Sequence, residues 1–60
     1  MNDYKFELLQ RVCIIESNET GSVIGRASYV HAENCYLVRY KSNDGRAVET
    51  WWGESALEQA

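Results

Sequence analysis

Three polar clusters break this 60-residue chain at nearly even intervals: SNETGS at 17–22, HAEN at 31–34 and SNDG at 42–45. The runs between them are rich in Val, Ile, Tyr, Cys and Trp. Short strand-favouring runs separated by regular turn signals predict an all-β domain, a barrel or a sandwich. Four strands are expected, over Leu9–Ile15, Val23–Val30, Cys35–Lys41 and Ala47–Trp52.

The strongest local signal is Asn43-Asp44-Gly45, because Asp-Gly supplies the positive φ that a tight hairpin requires. It joins the third and fourth strands. On the third strand, Tyr36, Val38 and Tyr40 share one face and Leu37 and Arg39 the other. Gly25 marks a bend or bulge in the second. Gly53-Glu54-Ser55-Ala56-Leu57 ends the fourth strand and allows a single helical turn before Leu57 returns to the core. Asp3–Val12 is the least regular stretch. Asp3 can cap a short helix carrying Leu8, Leu9 and Val12, yet so few residues hold no helix without tertiary support. Residues 1–8 are therefore expected as a loosely ordered lead-in, with Phe6 or Leu8 closing one end of the barrel.

Sixty residues make a single domain over 1–60, and a domain this small buries only about 60% of the surface its unfolded chain exposes. An apolar fraction of 45% still argues for a folded globule. No apolar run approaches the roughly 20 residues that span a bilayer, and MNDYKFELLQRV lacks the basic start and apolar middle of a signal peptide. A cytoplasmic protein without a membrane partner is the expectation. Cys13 and Cys35 read as free thiols, and with the single His31 they are too few for a metal site. Nine acidic residues against six basic give a net charge of −3, which weighs against strong phosphate-backbone binding.

Catalytic residues are scarce. There is one imidazole, no Gly-x-Ser-x-Gly nucleophile motif and no phosphate-cradling loop, since Gly21-Ser22-Val23-Ile24-Gly25 is short and lacks the lysine. Carboxylates such as Glu49, Glu54 and Asp44 would need a cleft that a domain this small has little room to build. No catalytic residue and no cofactor are assigned. The aromatic residues offer more, because Tyr29, Tyr36, Tyr40, Trp51 and Trp52 come from adjacent expected strands. Neighbouring strand residues point to opposite faces, so one of Trp51 and Trp52 enters the core and the other looks outward.

The order of strands, turns, helical turn and closing residue resembles an SH3-like barrel of four to five antiparallel strands. It is similar in pattern to small proteins of bacteriophages and bacterial mobile elements, which would imply a phage or prophage origin. Over Val12–Glu58 it also distantly resembles the plasmid-borne type II dihydrofolate reductases. Gly21-Ser22-Val23-Ile24-Gly25, Tyr36-Leu37-Val38 and Ala56-Leu57-Glu58 carry that likeness. Those reductases form tetramers around a shared pore whose floor is Val-Gln-Ile-Tyr. Here the matching residues are Val48-Glu49-Thr50-Trp51, and Ile14 and Ile15 fall near the family's lysines. An acidic pore would repel folate and the nicotinamide cofactor.

A non-catalytic protein-interaction module is therefore the expected function. Its partner-binding residues are Trp51, Trp52, Tyr40, Glu49 and Glu54, whose carboxylates favour a partner with a basic segment. The alternative is a nucleic-acid-binding barrel similar to KOW or Tudor domains, using Arg26, Arg39, Lys41 and Arg46. A reductase-like oligomer is the second alternative, and a homo-oligomer of some kind would also hide the outward indole.

Overall fold

The computed structural model describes residues 4–60, so the helix cap sought at Asp3 lies outside the described residues. The chain runs β1 (Arg11–Ile14), β2 (Thr20–Ala27), β3 (Cys35–Lys41), β4 (Ala47–Gly53), one 3₁₀ turn (Glu54–Ala56) and β5 (Leu57–Gln59). The five strands form one antiparallel sheet in the order β4-β3-β2-β1-β5. The all-β expectation holds, including the helical turn before the last strand. The sheet is not closed: β4 and β5 remain its two edges. Among the described residues no helix is long and apolar enough to cross a membrane.

Alternation along the strands sorts the side chains. Val12, Ile14, Val23, Tyr36, Val38 and Leu57 point to the inner face, where Phe6 joins them, each 2% exposed or less. Each such burial is worth roughly 1.5–3 kcal/mol, which makes this cluster the main source of stability. Phe6 and not Leu8 closes the core, for Leu8 is exposed. The segment before β1 is irregular but tied down: Leu9 N–H donates to Val23 O at 2.6 Å, and Lys5 N–H to Tyr36 Oη at 2.9 Å.

Two glycines in β2 have different reasons. A Cβ on Gly21 would meet Arg39 O and lie 2.8 Å from Val38 Cγ1, so close backbone approach between β2 and β3 requires the glycine. Gly25 follows a register shift between Val23 and Gly25, the bulge its sequence position predicts. At the β3–β4 hairpin, Gly45 sits at φ +83° and donates its N–H to Ser42 O at 2.9 Å, as expected of this turn. Asp44 organises the loop by accepting from Ser42 Oγ and from Arg46 N–H. Those bonds hold its carboxyl below the ordinary carboxylate value.

Candidate binding face

Pairing across β1 to β4 builds the outer face in rows. One row runs Arg11–Ser22–Arg39–Glu49, and the row beside it runs Gly25–Leu37–Trp51. The first is polar and the second apolar. Trp51 is half exposed and lies across Leu37, with its Cη2 only 3.6 Å from the point where a Cβ on Gly25 would stand. A Cβ there would be in ordinary contact with the indole and closer, at 3.2 Å, to Leu37 Cβ.

Beside this aromatic row a groove of about 700 Å³ crosses the same face. Its lining includes Leu9, Arg11, Ile24, Arg39 and Lys41, with one carboxylate, Glu19. Ile24 reaches this side because the bulge adds a residue to β2 there. The Arg11 guanidinium donates to Ser22 Oγ and Thr20 Oγ1, each at 3.2 Å. Arg39 is paired with Glu49 at 2.7 Å, the one ion pair among the described residues. Lys41 has no carboxylate partner among them. Three of the chain's six basic side chains thus meet on one face of an acidic protein.

The residues expected to bind together are divided by the sheet. Trp51 and Glu49 share the outer face, whereas Trp52 and Tyr40 pack half-buried against the inner core. Trp52 Nε1–H is buried there and meets no acceptor among the described residues. Glu54 stands on the 3₁₀ turn and accepts a 2.6 Å hydrogen bond from the Tyr36 hydroxyl. Burial raises the Tyr36 phenol above its ordinary 10.0, and the bond to Glu54 adds to the shift. Glu33 secures the same turn by accepting from Ser55 N–H at 2.8 Å and Ser55 Oγ at 3.1 Å.

The expected basic set is divided as well. Arg39 and Lys41 lie on the outer face, Arg46 stands at the hairpin, and Arg26 stacks on the Tyr4 ring with Cζ 4.4 Å from its centroid. Arg11, absent from the sequence-derived set, takes the place of Arg26. Strand parity signalled it: Arg11 alternates with the apolar Val12 and Ile14, as a residue on the outer face must. Among the described residues no three His, Cys, Asp or Glu side chains gather as a metal site requires. No protein-family model matches this sequence, and no curated protein matches it.

Proposed function

We propose that this chain is a non-catalytic interaction module that holds an extended, acidic protein segment along the outer face of its sheet, with Trp51 as the anchor. One observation carries the reading: an exposed indole shares its face with three cations, Arg39 and Arg11 in the next row and Lys41 in the row after it, and among the described residues only Arg39 is balanced by a carboxylate. Aromatic side chains give large contact area at small entropic cost, and cations on the same face favour an anionic partner. Leu37, Ile24 and Leu9 add apolar surface that a protein segment can cover.

The basic partner expected from the sequence has less support, because neither carboxylate near the tryptophans is unengaged. Glu49 is held by Arg39 and Glu54 by Tyr36. A second reading is single-stranded nucleic acid, favoured by the half-exposed Trp51, on which a base can stack, with Arg39, Arg11 and Lys41 on the same face. The net charge of −3 opposes it.

Affinity measurements with a synthetic peptide alternating Glu and Leu, and with an oligothymidylate, separate the two readings. The protein reading expects saturable peptide binding that Trp51→Ala lowers at least about tenfold, the scale of a hot-spot residue. Tighter oligothymidylate binding with a steep salt dependence would transfer the site to nucleic acid. Binding of neither probe, or equal binding by the Trp51→Ala chain, would overturn the face as a binding site.

A further inference from the structure

The edge strand β4 carries a feature that the outer face does not use. It is seven residues long and has neither proline, lysine nor a bulge, devices that keep an edge from pairing with another chain, and its one charge, Glu49, is neutralised by Arg39 of its own sheet. The opposite edge, β5, has only three residues. Backbone bonds tell which groups of β4 are unpaired. Ser42 N–H donates to Arg46 O and Glu54 N–H to Asn34 O, and hydrogen-bonded pairs alternate along an antiparallel ladder. Val48, Thr50 and Trp52 therefore direct their backbone groups at β3, and Ala47, Glu49, Trp51 and Gly53 direct theirs outward.

We propose that a second copy of this chain pairs antiparallel with β4 about a twofold axis at Thr50, making one continuous sheet of two subunits. In that register Glu49 lies opposite Trp51 of the second copy, and Ala47 opposite its Gly53, so the outward N–H and C=O groups meet one another along the whole strand. A twofold contact must be self-complementary, and this strand is. An axis at Glu49 would set two carboxylates directly opposite each other, which is destabilising. An axis at Trp51 would run the overlap into the 3₁₀ turn at Glu54. Only the Thr50 axis keeps the full overlap with no like charges opposed. It also sets Val48 against Trp52 of the second copy, on the inner side where both are half-buried and Thr50 itself is exposed. The two outer faces then join side by side, with their Trp51 indoles flanking the axis.

The contact is read by cross-linking and by sedimentation. Residues opposed at a non-hydrogen-bonded antiparallel site have Cα atoms about 4.5 Å apart, within disulfide range. In a Cys13→Ser, Cys35→Ser background, Thr50→Cys incubated with oxidised glutathione is expected to give a disulfide-linked dimer, the oxidant taking up the two thiol protons and electrons. Val48→Cys, placed away from the axis and opposite Trp52 of the second copy, is expected to form no such disulfide. In sedimentation equilibrium the native chain should dimerise, and Thr50→Lys should weaken that dimer at least about tenfold by opposing two ammonium groups, less so at high salt. Thr50 is exposed, so the fold of the lysine variant is unaffected. A native chain that stays monomeric at every concentration, or equal cross-linking at positions 48 and 50, would overturn the pairing.

Discussion

The two faces of β3 are built from the same seven residues and do opposite things. On the inner face Tyr36 and Val38 are fully buried, and every polar atom of Tyr36 is used: its hydroxyl accepts from Lys5 N–H and donates to Glu54. On the outer face Leu37, Arg39 and Lys41 stand with Trp51 in partial contact with solvent, and Lys41 is left without a counter-ion among the described residues. The difference teaches where this small domain keeps its stability and where it keeps its chemistry. Changes on the inner face should cost mainly folding free energy, and changes on the outer face should cost mainly binding.

The largest expected effect is Ile14→Ala, which empties a fully buried site and should lower unfolding free energy by about 2–5 kcal/mol in urea titration. Gly21→Ala comes next. Its Cβ would collide with β3 backbone, and overpacking of this kind costs about 1–3 kcal/mol. Tyr36→Phe should cost a similar amount, since it leaves Lys5 N–H and Glu54 without their buried partner. That variant also has a pH signature. The native phenol is raised above 10.0, so its contribution is fully present below pH 10.0 and is lost as pH rises through the native value. Alkaline titration of stability should show this loss in the native chain and not in Tyr36→Phe.

On the outer face the expected stability changes are smaller. Trp51→Ala should cost about 2 kcal/mol, because only half of the indole is out of water, while removing most of the affinity for an acidic segment. Glu49→Gln breaks an exposed ion pair worth about 0–1 kcal/mol and frees the Arg39 guanidinium. It should strengthen binding to the Glu and Leu peptide. A loss of several kcal/mol from either outer-face variant would erase the contrast between the faces.

Local signals made much of this legible in the sequence. The hairpin at Asn43–Gly45, the limits of β3, the bulge before Gly25 and the return of Leu57 to the core were each carried by residues within a few positions of one another. The strand ends were less legible. β1 is shorter than Leu9–Ile15 because Leu9 sits at φ 69° and because Ser17 and Asn18 turn back onto Ile14 O. β2 begins at Thr20 and ends at Ala27, earlier at both ends than expected. Gly21 reads as a turn residue in sequence and is in fact a strand residue chosen for close packing against β3. The division of the site was illegible for another reason. Which tryptophan looks outward depends on register with β3, and the engagement of Glu54 depends on a hydroxyl 18 positions away.

The most direct test of the central claim uses the chain's own two indoles. In a two-dimensional ¹H–¹⁵N spectrum Trp51 and Trp52 each give one side-chain signal, one from each face of the sheet. Titration with the Glu and Leu peptide is expected to move the Trp51 signal and the amides of Arg11, Arg39 and Lys41 to saturation while Trp52 stays in place. Movement of Trp52 with Trp51 unmoved would contradict the account, because the working face would then be the inner one.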